Sequence, residues 1–251
     1  MTAWQTFLST QGAIFNERVV QSFGQAQVEL QAAGQQNILA DLSHLGILEI
    51  SGEDAVTFLQ GQVTNDVKQL NGESSQYAGY CTPKGRLLAL FLAFAHADHI
   101  HLQMPAELIA PIMKRLKMYV MRSKVSIVDK SADILCLGLA GPSADKLIQN
   151  LLGACPNEAH ALITLEQATL LRLPDVLPRF LIFTNATHAE NIWQTLANDA
   201  VKVGKSVWDY LEIQSGIPEV VTATQEAFVP QMLNLDALNG INFKKGCYTG
   251  Q

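Results

Sequence analysis

Apolar positions along the chain follow two periods. Leu108, Ile112, Leu116 and Tyr119 recur every three or four residues and predict a helix over 105–121, opened by Pro105. Shorter apolar runs bounded by turn residues predict strands at 45–50, 76–82, 86–95, 99–104, 124–129, 134–140, 168–173 and 179–184. Thr82-Pro83-Lys84-Gly85 supplies a hairpin turn between two of these runs. Further helices are predicted at 3–15, 53–60, 143–152, 188–198 and 206–215, and Glu53 and Asp54 suit a helix N-terminus. The Gln-rich stretch 24–36 reads as a surface loop, and 217–231 as an irregular connector.

A faint internal repeat overlies this pattern. Residues 50–60 align with 139–149 at an offset of 89, with Gly52 opposite Gly141 and Phe58 opposite Leu147. Both stretches read strand, glycine turn, helix. The fold class is therefore α+β, with two related modules, each an antiparallel sheet covered by helices. The boundaries read as a first module over 1–130, a second over 131–216, and a connector and tail over 217–251.

Composition narrows the function. Of 251 residues, 48% are hydrophobic, enough for a proper core. The net charge of −6 argues against a surface that coats nucleic acid, so direct nucleic-acid binding is not expected. One basic cluster stands out: Lys114, Arg115, Lys117, Arg122 and Lys124, with no acid among them. It reads equally as a solvated helix face or as a lure for an anionic ligand. The longest strongly apolar run, 87–95, is nine residues, whereas a membrane span needs roughly 20. The N-terminus lacks the pattern of a secretory signal. Cys81, Cys136, Cys155 and Cys247 form no C-x-x-C and no dense disulfide framework, which points to a reducing cytoplasm and to no metal site.

Few motifs carry chemistry. No G-x-G-x-x-G follows a strand, so dinucleotide binding has no support. Gly204-Lys205-Ser206 resembles the end of a phosphate loop but reads as a loop with a helix N-cap at Ser206. His99 and His101 share a strand face near His96, with no carboxylate placed beside them. The segment from Asn242 to Gln251 is the most informative. Lys244 and Lys245 precede Cys247, and cations favour a thiolate. The competing reading is a structural cysteine in a turn.

The string Lys245-Gly246-Cys247-Tyr248-Thr249-Gly250-Gln251 resembles the signature of the YgfZ family. Segments 58–67, 80–86 and 234–241 fit the same family, and the likeness runs from about residue 38 to the end. The resemblance implies a folate-binding protein related to the aminomethyltransferase (T-protein) of the glycine cleavage system. It further implies a part in assembling or repairing iron–sulphur clusters and, through iron–sulphur protein partners, in tRNA modification. A folate such as tetrahydrofolate would be the cofactor, with Trp208, Gln214, Leu45 and Arg86 as its contacts. Cys247 and Lys245 would carry the chemistry.

Three departures bear on activity. The T-protein has an Asp pair just after the hairpin turn, whereas Gly85-Arg86-Leu87-Leu88-Ala89-Leu90 holds no carboxylate. Gln214 replaces a glutamate, so it can hydrogen-bond a pterin edge but carries no charge. Leu45 stands where some relatives have an aromatic. The chain ends inside the signature, so the C-terminal β-barrel of relatives is expected to be absent or truncated. The alternative function is a folate-dependent one-carbon transferase, which the missing Asp pair disfavours. A third reading is a folate-independent interaction module.

Overall fold

The computed structural model describes residues 1–251 and divides them into two compact units. One unit comprises 1–44 with 133–217, the other 45–132 with 218–251. The switch points lie close to the expected boundaries at 130 and 216, but the grouping differs: the first 44 residues belong with the later module, and the tail with the earlier one.

Strand pairing is the reason. In the first unit, the six-stranded sheet has β1 (Ile38–Asp41) at an inner position. It pairs antiparallel with β2 (Leu135–Ala140) and parallel with β3 (Val201–Val203). The sheet continues from β2 through β4 (Arg179–Thr184) and β5 (Ala168–Arg172) to β6 (Leu162–Thr164). All four residues of β1 are buried, so this short run, which carries no alternation, is a central strand. Helix α1 (Ala3–Thr10) stops at Gln11-Gly12 rather than reaching 15, and Trp4 and Leu8 enter the core beside Leu39, Leu137, Phe180 and Trp193. The Gln-rich stretch holds a helix, α2 (Ala26–Ala32). Its buried Glu29 carboxylate accepts from the backbone N–H groups of Phe23, Gln25 and Gly204, which is why the segment is ordered. Helix α3 (Lys205–Gln214) starts one residue earlier than expected, with Gly204 rather than Ser206 at the N-cap. A Cβ at Gly204 would lie 1.9 Å from the Gln21 carbonyl oxygen, so the close chain approach requires glycine.

The second unit is built on a five-stranded antiparallel sheet. Its hairpin is β7 (Ser75–Cys81) and β8 (Leu87–His96), followed in the sheet by β9 (His99–Pro105), β10 (Leu45–Ser51) and the edge strand β11 (Ser126–Asp129). Helix α4 (Ala106–Val120) buries Leu108, Ile109, Ile112 and Leu116. Tyr119, expected on the same face, is 40% exposed in the last turn. A short helix, α5 (Ala55–Gln60), follows β10 and buries Ala55, Phe58 and Leu59. The tail joins this unit through the start of β8: Leu87 N–H donates to the Phe228 carbonyl (2.8 Å), and Glu226 N–H to that of Leu87 (2.7 Å). No closed barrel is formed within residues 1–251.

The internal repeat falls on matching places. β10 passes into α5 at Gly52, and β2 into α6 (Ala144–Leu152) at Gly141. Both glycines have positive φ, and a Cβ would lie 2.2 Å from the Lys124 carbonyl oxygen at Gly52 and 2.4 Å from Asn37 Cα at Gly141.

Candidate functional site

The signature residues dock on the C-terminal end of α5. Helix ends leave carbonyls without intrahelical partners. Here the tail supplies the partner of one such carbonyl, that of Gln60, and of two more in the residues that follow the helix. The Lys245 ammonium donates to the carbonyls of Gln60 (2.6 Å) and Val63, and Thr249 N–H donates to that of Gly61 (3.1 Å). The Tyr248 ring lies under the same ammonium, 5.2 Å from its nitrogen. Burial lowers the Lys245 pKa to about 8, partly opposed by the charge of Asp66.

Asn242 shapes the approach to Cys247. Its Oδ1 accepts from the N–H groups of Lys244 (2.8 Å) and Lys245 (3.0 Å), an Asx-type turn. Its own N–H donates to the Thr64 carbonyl. The Thr64 hydroxyl in turn donates to the Gly240 carbonyl (2.6 Å) and accepts from Gly79 N–H (2.7 Å). Asn65 Nδ2 donates to the carbonyls of Tyr77 and Asn239. At the far end Gly250 packs on the hairpin turn, where a Cβ would lie 2.1 Å from the Thr82 carbonyl oxygen. The four strings that carry the resemblance thus meet in one cradle. Gln60, Thr64 and Asn65 have roles there that no chemical motif announces, and their only signal is membership of those strings; Asn242, between two of the strings, carried no signal of its turn-forming role. Beside the cradle is a pocket of about 240 Å³, walled by Val229, Pro230, Ile241, Phe243 and Tyr248.

Cys247 is exposed, Cys81 and Cys136 are buried and Cys155 is half-buried. Burial pushes the Cys81 thiol up to about 12 and also raises that of Cys155. Gly246 and Lys244 beside Cys247 are exposed as well.

The expected folate contacts fall in separate units. Trp208, on α3, is 1% exposed. Its ring packs on Gly138, where a Cβ would lie 2.5 Å away, and the Arg179 guanidinium sits over it at 5.6 Å. Trp208 Nε1 donates to Glu212 Oε1 (3.0 Å). The fully buried Arg179 also pairs with Asp175 (3.3 Å) and Glu212 (3.4 Å). This ring is a core element of its unit and presents no open face for stacking. Gln214 is exposed at the end of α3. In the other unit, Leu45 is half-buried at the start of β10, and Arg86 Nη1 donates to the Ala227 carbonyl (3.0 Å), which ties the tail to the hairpin.

Two other clusters resolve differently. Glu49 on β10 supplies the carboxylate that sequence reading did not place near the histidines: its Oε2 lies 3.1 Å from His99 Nδ1 and 3.4 Å from His101 Nε2. No group of three or more His, Cys, Asp or Glu side chains is arranged to hold a metal ion. In the basic cluster, Lys124 pairs with Glu53 (2.7 Å) and Arg115 hydrogen-bonds Tyr80, while Lys114, Lys117 and Arg122 are exposed.

Known proteins agree on kinship. The GCVT N-terminal domain family matches residues 5–238. The tRNA-modifying protein YgfZ of Yersinia pestis (strain Pestoides F) is 30% identical over 226 residues, 90% of this chain and 68% of that protein. Its counterpart in Colwellia psychrerythraea is 35% identical over 214 residues, 85% and 65% of the two chains. Among solved structures, the glycine cleavage system aminomethyltransferase T of Bartonella henselae superposes with a TM-score of 0.76 at 18% identity, which is a likeness of fold. That match covers 86% of this chain and 62% of the aminomethyltransferase. With its signature seated among the other shared strings and with these relatives, the chain belongs to the YgfZ family, related to the aminomethyltransferases.

Proposed function

We propose that this protein is a folate-binding accessory factor for assembly or repair of iron–sulphur clusters, which supports tRNA modification through the cluster proteins it serves. The observation that carries this reading is Cys247: an exposed thiol held in an ordered turn, in a chain whose other three thiols are buried or half-buried. An exposed thiol can meet a partner's cluster or cysteine, and buried ones are inert. Four free thiols suit a reducing cytoplasm, and no helix is long and apolar enough to cross a membrane.

The residues fit a folate in part. Gln214 and Leu45 retain accessible surface, and an amide can pair with the edge of a pterin. Trp208 does not fit a stacking role, because Gly138 and Arg179 cover its ring. The accessory reading is favoured over a one-carbon transferase because residues 85–90 hold no carboxylate and the one charged side chain there, Arg86, is tied to Ala227.

Calorimetric titration with tetrahydrofolate, together with rescue of iron–sulphur enzyme activity in cells lacking the protein, tests both halves. The parent is expected to bind tetrahydrofolate saturably. Cys247→Ser is expected to bind it equally and yet to fail the rescue. Absence of binding by the parent removes the folate half, and full rescue by Cys247→Ser removes the thiol half.

A further inference from the structure

We infer that Lys245 is the positioning residue for Cys247, acting as a plug in the carbonyl end of α5 rather than as the cation that activates the thiol; this rests on the reading of Cys247 as the working group. Sequence proximity alone suggests activation, since Lys245 stands two residues from the thiol. The geometry assigns its ammonium elsewhere. Two of its three N–H bonds point at the carbonyls of Gln60 and Val63, and the Tyr248 ring lies against it. A cation at a helix C-terminus also meets the negative end of the helix dipole. The pull therefore runs from Lys245 toward the body of the unit and draws the following turn down with it.

The turn is fastened at three places. Asn242 Oδ1 holds the amides of Lys244 and Lys245, the Lys245 ammonium holds α5, and Thr249 N–H holds Gly61. Gly246 and Cys247 lie between the second and third fastenings and are exposed. They form the crest of a short loop pinned on both flanks. A thiol on such a crest reaches a partner in one fixed orientation, and a loose tail would offer it in many.

Two substitutions separate positioning from activation. Lys245→Met keeps the stem and removes both the charge and the donors. Asn242→Ala breaks the same turn and leaves both lysines charged. Amide hydrogen exchange of Lys245 and Thr249, and alkylation of Cys247 by iodoacetamide at neutral pH, are measured in both variants and in the parent. Positioning predicts several-fold faster exchange at these amides in both variants, in a chain that still melts cooperatively, and alkylation no slower than in the parent. Parent-like exchange in Lys245→Met overturns the proposal. So does slower alkylation in Lys245→Met combined with parent-like behaviour of Asn242→Ala, which is the result expected of a thiolate activator. These readouts do not depend on the cellular role. If Cys247→Ser rescues cells while exchange still accelerates in both variants, the functional reading fails and the positioning role stands.

Discussion

At the scale of single residues, close packing decides which side chains are available for chemistry. Trp208 has the residue type suited to stacking on a flat ligand, yet its ring lies on Gly138 and under Arg179. Gly138 is the small partner that makes this possible. Gly138→Ala would place a methyl group 2.5 Å from the Trp208 ring, and neither the inner strand nor the buried indole has room to yield. Overpacking of this kind typically costs about 1–3 kcal/mol. Urea denaturation of Gly138→Ala is therefore expected to show a clearly lower midpoint with an unchanged slope; a parent-like midpoint would show that the indole is not tightly held. The cysteines follow the same logic. All four are apolar-sized side chains, and burial separates Cys81, with its pKa pushed up to about 12, from the exposed Cys247.

At the scale of elements, strand pairing gathers the ionisable groups. β10 and β9 place Glu49 opposite His101, and the neighbouring strand β8 stacks Phe94 on the same imidazole. His96 at the end of β8 and His99 on β9 complete the set of ionisable groups around it. His101 is 3% exposed, and burial lowers its pKa to about 4, with Glu49 opposing that shift and His96 and His99 adding to it. The sign of the linkage follows. Between pH 6.5 and about 4 the unfolded chain binds a proton at this position that the folded chain does not. Stability is thus full above the unfolded value and falls as pH drops through that window. His101→Phe, which keeps a ring against Phe94, is expected to flatten the acid limb of a stability–pH curve there. An identical acid limb in parent and variant would mean that this histidine does not resist protonation.

At the scale of the whole chain, the two units are each discontinuous in sequence. β1 lies between β2 and β3, both of which come from beyond residue 132. Trp4, Leu8, Val20 and Leu39 share a core with Leu137, Leu139 and Ile182. A fragment of residues 1–132 keeps these apolar side chains and loses their partners. Its first 44 residues are expected to be unfolded, with undispersed amide signals in two-dimensional NMR. Sharp, dispersed signals from that stretch would show that it folds without 133–217. The basic cluster on α4 and just beyond it belongs to this scale as well, because in an acidic chain of net charge −6 it leaves Lys114, Lys117 and Arg122 as exposed cations. Salt screens such charges within about 10 Å at 0.1 M, so any anion they attract is held weakly at high ionic strength.

What the sequence determined alone was whatever depends on local order along the chain. The α+β class, the hairpin at Thr82–Gly85, the buried stripe of α4 and the two glycine turns at Gly52 and Gly141 are readable because periodicity and backbone permissiveness are local properties. Family membership was readable for a related reason, since the signature is a contiguous string. Tertiary structure decided what depends on distant partners. β1 is a four-residue run whose strand identity comes from neighbours some 100 and 160 residues away. The helix in the Gln-rich stretch is ordered through Glu29 and Gly204, 175 residues apart. Lys245 finds its carbonyl partners 185 and 182 residues back along the chain, and Trp208 loses its open face to Gly138 and Arg179. Hydrogen bonds and burial act through space, so a residue's type was legible in the sequence while its availability was set only by what the fold laid against it.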